Sequence, residues 1–202
     1  MLIKKGAEAS LYLEKWHNRK VILKRRLPKK YRVYELDEEI RSYRTIHEPQ
    51  IIQRAKKAGV PTPTILMVDL AEATIVMEFI NGKQIKQVLD DFSSEERCRL
   101  CCLIGKLIGR LHNCGIIHGD LTTSNMILTP DGRVVFVDFG LSEHSPELEA
   151  MGVDLHLMKR AFQSAHYKHA KTSFGMVMKG YAEARGTEAA KNVIKRVMEI
   201  EK

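Results

Sequence analysis

An acid and an amide five positions apart, Asp120 and Asn125, interrupt an otherwise apolar stretch in HGDLTTSNMIL (118–128). A second acid, Asp138, lies near the end of RVVFVDFG, thirteen residues beyond the amide. A carboxylate that precedes an amide at this spacing can arch over a loop, so that one side chain orients an incoming hydroxyl while the other binds Mg²⁺. A further carboxylate at the end of a neighbouring strand completes the metal site, which needs few protein oxygens because nucleotide phosphates and water fill the rest. These are the parts of phosphoryl transfer: Asp120 accepts the hydroxyl proton, and Asn125 and Asp138 hold the metal. DFG alone occurs by chance, but DFG thirteen residues after the Asn of HxDxxxxN, with a strand between, is specific.

The elements that must carry these residues follow from periodicity. Ser93 with Glu96 makes a capping box, and Leu100, Leu103, Ile104, Leu107, Ile108 and Leu111 recur at the spacing of one buried helical stripe. Gly115 ends that helix and Ile116–Ile117 lead straight into the polar loop, which is a rigid mount for a site. After VFVDFG the sequence predicts a polar loop, then helices over about 153–167, about 174–184 and after Gly186. Asp154 is expected to cap or brace the loop from a helix N-terminus. His118 reads as a loop-bracing histidine rather than a catalyst.

Upstream, residues 9–13 and 20–24 read as a hairpin around HNR, followed by a basic loop. A charged helix spans 36–58 and stops at Gly59-Val60-Pro61; Pro49 must kink it or begin a second helix. Strands over 64–69 and 73–79 are closed by Asn81 and Gly82. In the kinase pattern KVILK places Lys24 on the α and β phosphates of a nucleotide. Its acidic partner is Glu48, with Glu38 and Glu39 as alternatives, and a solvated helix face is the competing reading of all three. Met77 would line an adenine pocket, and the backbone of Glu78, Phe79 and Ile80 would bond the base.

Bulk properties bound the rest. With 202 residues and 44% hydrophobic content, the chain can bury one or two modest cores. It opens without an apolar h-region and holds no run near the ~20 residues of a membrane span, which predicts a cytoplasmic chain with no membrane segment. Cys98, Cys101, Cys102 and Cys114 lack metal-ligand spacing and read as core or helix-surface thiols. Residues 1–60 hold 16 Lys and Arg against 7 Asp and Glu, so the net charge of +8 is concentrated there, most densely in KRRLPKKYR (24–32). That run is either a solvated loop or a contact for nucleic-acid phosphates or an acidic partner.

KKGAEAS, VILKRRLPKKYR, MEFING, HGDLTTSNMIL and VVFVDFGLSE together resemble the small RIO-like Ser/Thr kinase subunit of the KEOPS complex, the bud-site-selection or p53-related kinase family, over essentially the whole chain. The resemblance implies an α+β fold: a single minimal bilobal protein-kinase-like domain over 1–202. Its N-terminal lobe (1–80) would be a small β-sheet with a helix, and its C-terminal lobe (81–202) mainly helical with a truncated activation segment. It implies ATP and Mg²⁺ as cofactors, with ATP hydrolysis and Ser/Thr phosphorylation in the service of threonylcarbamoyladenosine modification of tRNA. The implied partners are an ASKHA-fold ATPase subunit on the C-terminal lobe and a small KEOPS subunit on the N-terminal lobe, with tRNA a further candidate.

Gly6, Ala7 and Glu8 would form the nucleotide loop, although it has one glycine where GxGxxG is usual. Glu8 puts a negative charge where phosphate would sit, acting by bonding or by gating. Only 62 residues follow Gly140, without an APE motif, and Thr122 stands where Ser/Thr kinases carry a lysine. Two other readings compete: a small-molecule phosphotransferase of the aminoglycoside or choline kinase type, and a nucleotide-independent tRNA-binding scaffold.

Overall fold

The two alternating runs around HNR pair as a hairpin because His17 and Asn18 both take positive φ, 46° and 62°, the backbone that matches the twist of the flanking strands. The computed structural model describes residues 1–6 and 8–200. Five strands, β1 (Leu2–Lys5), β2 (Ser10–Trp16), β3 (Arg19–Arg25), β4 (Ile65–Asp69) and β5 (Thr74–Glu78), form an antiparallel sheet in the order β1-β2-β3-β5-β4. β3 lies at its centre, so Lys24 sits opposite Ile75 on β5 and Leu11 on β2. Val21, Ile75, Val76 and Met77 are buried there.

Helix α1 (Tyr34–Lys57) is a single helix with Pro49 inside it, so the proline does not begin a second one. Pro49 has no N–H to give the carbonyl of Thr45, and the helix continues past that missing bond. The predicted helix began at 36; the observed one starts at Tyr34. β1 was not predicted at all, because all four of its residues are exposed and show no alternation.

The chain divides into two compact units, residues 1–53 with 63–80, and residues 54–62 with 81–202. In the second, β6 (Lys83–Gln84), β8 (Met126–Leu128) and β9 (Val134–Phe136) make a small sheet, and β7 (Ile116–Ile117) pairs with β10 (Glu143–His144). Between them come α2 (Ile85–Val88), a 3₁₀ turn (Leu89–Asp91), α3 (Ser94–Asn113) and a second 3₁₀ turn (Thr123–Asn125). The chain continues through α4 (Leu148–Ala165), α5 (Ala170–Arg185) and α6 (Thr187–Ile200). The sheet-rich first unit and mainly helical second unit give the expected α+β class.

The capping box of α3 is present in full: Glu96 N–H donates to Ser93 Oγ at 3.2 Å and Ser93 N–H donates to the Glu96 carboxylate at 3.0 Å. Ile104, Ile108 and Leu111 of its apolar stripe are completely buried. α3 and α5 approach closely at Gly105 and Gly180, where a Cβ would collide with the backbone carbonyls of Val177 and Cys102. Cys101 is buried in this region and its thiol is pushed up to about 12 by loss of solvent, which makes it a packing residue. α4 begins five residues before the predicted start, so Asp154 lies inside the helix and not at its N-terminus.

Candidate active site

The loop between β7 and β8 carries Asp120 and Asn125. Gly119 precedes Asp120 with φ +77°, and a Cβ there would overlap the carbonyl of Leu141, so only glycine fits. Asn125 Nδ2 donates to the Asp120 carboxylate at 2.8 Å and to the Asp120 carbonyl at 3.0 Å. With its nitrogen committed, the Asn125 amide directs its oxygen elsewhere, and an amide oxygen is a hard ligand. Asn125 C=O accepts from Val137 N–H at 3.0 Å, which ties this loop to the segment that leads into Asp138. Asp138 has φ +63°, a left-handed conformation that costs a non-glycine residue energy and that recurs at functional positions. Asp138 is half-buried and Phe139 completely buried.

Asp154 braces the same loop. Its carboxylate accepts from His118 N–H at 2.8 Å and Gly119 N–H at 2.9 Å, satisfying two donors that would otherwise be orphaned in a buried turn. A third bond joins it to His112 Nε2 at 3.2 Å, and His112 Nδ1 stands 3.0 Å from the Tyr181 hydroxyl. Burial, with Asp154 nearby, pushes the Tyr181 phenol up, so its hydroxyl keeps its proton and donates it to His112. His112 then presents Nε2–H to Asp154. Sequence reasoning found Asp154 but placed it at a helix end, and missed His112, whose only local signal is a polar residue on an apolar helix face.

His118 is fully buried, and burial pushes its imidazole down despite the carboxylates of Asp154, Asp138 and Asp120. Asp120 N–H donates to Nδ1 at 3.3 Å and Nε2 faces the Val137 carbonyl at 3.3 Å, so the neutral ring carries its proton on Nε2. It spans the loop and the segment that leads into Asp138 as a brace.

In the first unit Lys24 Nζ stands 2.7 Å from Glu48 Oε1, and both side chains are buried. Arg26 pairs with the other oxygen, Glu48 Oε2. Glu38 and Glu39, the alternatives, are exposed on α1. Glu8 is held by two guanidiniums, Arg32 at 3.0 Å and Arg44 at 2.6 Å. Arg32 also reaches Asp37, which Arg41 binds at 2.8 Å. Burial alone would raise the Asp37 carboxyl, but bonds from Arg41, the Lys29 amide and Arg32 together hold it below the usual carboxylate range. Ala7 lies outside the described residues. Met77 is buried, Phe79 and Ile80 are half-buried, and Lys20 Nζ lies 5.8 Å from the Phe79 ring centre. Glu78 N–H already donates to the Thr64 carbonyl at 2.8 Å, so that donor is occupied.

The basic run therefore splits. Lys24 and Arg26 are internal, Arg32 is committed to Glu8 and Asp37, and Arg25 pairs with Glu72 at the surface. A contact with nucleic-acid phosphates could not use the buried Arg26. Sequence reasoning missed the pairing of Arg26 with Glu48 and of Arg32 and Arg44 with Glu8, because these glutamates lie far from them along the chain. Among the described residues no three His, Cys, Asp or Glu side chains gather as a metal cluster, and no helix is long and apolar enough to cross a membrane.

The RIO domain family model matches residues 15–174. The chain is 47% identical to KEOPS complex subunit Bud32 of Pyrococcus abyssi, over 99% of this chain and 93% of that protein. It is 42% identical to a probable serine/threonine-protein kinase BUD32 homolog of Archaeoglobus fulgidus, over 90% of this chain and 86% of that one. It also matches a probable bifunctional tRNA threonylcarbamoyladenosine biosynthesis protein of Methanothermobacter thermautotrophicus at 44% identity, over 90% of this chain but only 33% of that longer protein. The Rio2 kinase of Chaetomium thermophilum shares the fold, with a TM-score of 0.61 at 19% identity, covering 99% of this chain and 72% of that one. The Asp120–Asn125 loop and Asp138 fall inside the matched span, and the near-complete coverage by Bud32 leaves no large element unaccounted for: the chain belongs to the RIO-domain family and, within it, to the Bud32 proteins.

Proposed function

We propose that the chain is an atypical serine/threonine kinase and ATPase of the cytoplasm that uses Mg-ATP and serves a KEOPS-type complex in threonylcarbamoyladenosine modification of tRNA. The observation that carries this reading is the bond from Asn125 Nδ2 to the Asp120 carboxylate, which holds the acid in the loop and commits the amide nitrogen, so that the amide oxygen is the atom the side chain can offer a metal. Asn125 Oδ1 and the Asp138 carboxylate are hard oxygen donors of the kind Mg²⁺ takes, and they would hold it. When bound, the metal supplies positive charge to the phosphate oxygens.

The remaining work belongs to the chain's own groups. Asp120 orients the acceptor hydroxyl or a water and accepts its proton. Lys24, kept in place by Glu48, contacts the α and β phosphates. Gly6, Ala7 and Glu8 form the loop over them, and Met77 with the backbone of Glu78, Phe79 and Ile80 receives the base; Glu78 contributes its carbonyl, since its N–H is occupied. We read residues 1–202 as one kinase-like domain with lobes 1–80 and 81–202. An ASKHA-fold ATPase subunit would dock on the second lobe and a small KEOPS subunit on the first.

The test is ATP turnover by the purified chain, measured as free phosphate and as labelled protein, with and without an ASKHA-fold ATPase subunit. Turnover that needs Mg²⁺, falls by a factor on the order of 10² to 10⁴ in Asp120→Ala and responds to the subunit is expected. Turnover that depends instead on a small alcohol would move the chain to the phosphotransferase class.

A further inference from the structure

Thr123, inside the polar loop and outside every role given so far, directs its hydroxyl to His166 Nε2 at 2.9 Å. His166 Nδ1 in turn lies 2.9 Å from the Asp90 carboxylate. Hydroxyl, imidazole and carboxylate in this order form the arrangement that activates a nucleophile. Here the hydroxyl is out of reach: Thr123 is 1% exposed and His166 is fully buried, so no substrate can meet the oxygen. The same geometry has a different use. An ionised carboxylate can only accept, so Asp90 requires the proton on His166 Nδ1; neutral Nε2 must then accept from Thr123.

The three residues come from distant parts of the second unit. Asp90 stands on the 3₁₀ turn Leu89–Asp91 with its side chain 45% exposed. His166 closes α4, where its N–H donates to the Phe162 carbonyl at 2.9 Å and its ring packs 5.7 Å from the Phe162 ring. Thr123 opens the turn that ends on Asn125. Each residue of that turn is tied separately: Thr123 to His166, Ser124 C=O to the Gln84 side-chain amide at 2.9 Å, and Asn125 to Asp120.

We propose that Asp90 and His166 are positioning residues for the phosphoryl-transfer loop: the Asp90–His166–Thr123 chain sets the pitch of the turn that aims the Asn125 oxygen and the Asp120 carboxylate. The inference rests on the reading of Asp120 and Asn125 given above and adds a remote handle on it. Asp90 reaches the loop through one imidazole from a solvent-facing turn. The sequence motif does not point to it, because Asp90 and His166 are 76 residues apart.

The experiment compares wild type with Thr123→Val, Thr123→Ser, Asp90→Ala and the Asp90→Ala/Thr123→Val double variant, on the full chain. Three quantities are read: amide exchange at 123–125 and the His166 ring ¹⁵N shifts by NMR, thermal melting, and ATP turnover against Mg²⁺. A brace predicts an Nδ1–H tautomer in wild type, and turn amides at 123–125 exchanging about tenfold faster in Thr123→Val and Asp90→Ala than the other amides of the same variant do, so that any drop in melting temperature does not account for it. It also predicts kcat lower by roughly ten- to a hundredfold, the scale of small misplacements, with the Mg²⁺ requirement raised and KM for ATP within about twofold. Thr123→Ser, which keeps the hydroxyl, restores most of the loss. The double variant is no worse than Thr123→Val alone, since both break one chain.

An Nε2–H tautomer in wild type, or unchanged amide exchange in both single variants, overturns the proposal. So does additive loss in the double variant. If wild type turns over no ATP, the catalytic reading falls, while exchange and tautomer still decide whether the brace exists. Asp90→Ala, on an exposed turn, keeps the test open should Thr123→Val fail to fold.

Discussion

The two units hold their polar residues in place by different physics. In the first, charge opposes charge: Glu48 sits between Lys24 and Arg26, and Glu8 between Arg32 and Arg44. In the second, the loop is held by hydrogen bonds to backbone and by imidazoles of fixed tautomer. Asp154 takes two amide protons, His118 bridges Asp120 N–H and Val137 C=O, and Asn125 binds Asp120. An ion cluster fixes where net charge lies and is sensitive to the loss of one member, since a buried charge left alone is expensive. A hydrogen-bonded brace fixes direction to a fraction of an ångström, which suits a proton acceptor and a metal ligand.

The largest effect should come from removing the group that does chemistry in the second unit. Asp120→Ala is expected to lower turnover by a factor on the order of 10² to 10⁴, the range for a positioned acid or base, while leaving nucleotide binding in place. Asp138→Ala should lose Mg-dependent ATP binding itself. Calorimetric titration with ATP in the presence and absence of Mg²⁺ separates the two. Equal affinity of wild type and Asp138→Ala with Mg²⁺ present would remove Asp138 from the metal site.

In the first unit the corresponding break is Glu48→Ala. It removes the buried carboxylate that Lys24 and Arg26 share, and should destabilise by about 3–5 kcal/mol. Glu48→Gln keeps volume and one acceptor and should cost less. Urea unfolding of the two variants reads the difference. If Glu48→Ala melts like wild type, the cluster contributes position but not stability, and the contrast between the units fails.

Much of the chemistry was legible in sequence because its residues are close together along the chain. Asp120 with Asn125, Asp138 with its strand, Ser93 with Glu96, and the HNR turn all lie within local spacing rules. What was hidden depends on tertiary path. Arg26 meets Glu48 across 22 residues, Gly119 meets Asp154 across 35 and His112 meets Tyr181 across 69, and no periodicity announces such pairs. The sequence favours Glu48 over Glu38 and Glu39 although Pro49 follows it. The helix absorbs that proline, so the carboxylate keeps its register. The early turn of α4 is hard to read from sequence because Leu148, Glu149 and Ala150 show no buried face, and burial begins only at Met151.

A smaller effect distinguishes the neutral brace of the second unit by pH. Burial lowers the His118 pKa in the folded chain, whereas the unfolded chain titrates near 6.5. Between those values the unfolded state binds a proton that the folded state refuses. The His118 contribution is therefore complete above about 6.5 and is lost as the pH falls toward the folded value, by at most about 1.4 kcal/mol per pH unit. Urea midpoints from pH 7.5 to 5 should show this slope, and His118→Asn should flatten it by the contribution of one group. A slope unchanged in His118→Asn would mean that other groups carry the acid sensitivity.

The smallest effect on stability is expected in the basic run of the first unit, and it sharpens the comparison there. Lys30 is exposed and Lys29 half-buried, whereas Arg26 is buried against Glu48. Replacing Lys29 and Lys30 by Gln should change unfolding free energy by no more than about 0.5 kcal/mol, as surface substitutions do. Arg26→Gln, which leaves a buried ion cluster incomplete, should cost several times that. If tRNA phosphates touch the run, the same lysine pair carries the opposite ranking for binding. Each lost phosphate contact lowers the slope of log affinity against log salt by about 0.7 to 0.9. Filter binding of tRNA between 50 and 200 mM salt, on the order of the range where counterion release dominates, would then give a shallower line for Lys29→Gln/Lys30→Gln. An unchanged slope assigns these two lysines to solvation, and leaves the whole positive charge of the run either internal, paired at the surface, or spent on solubility.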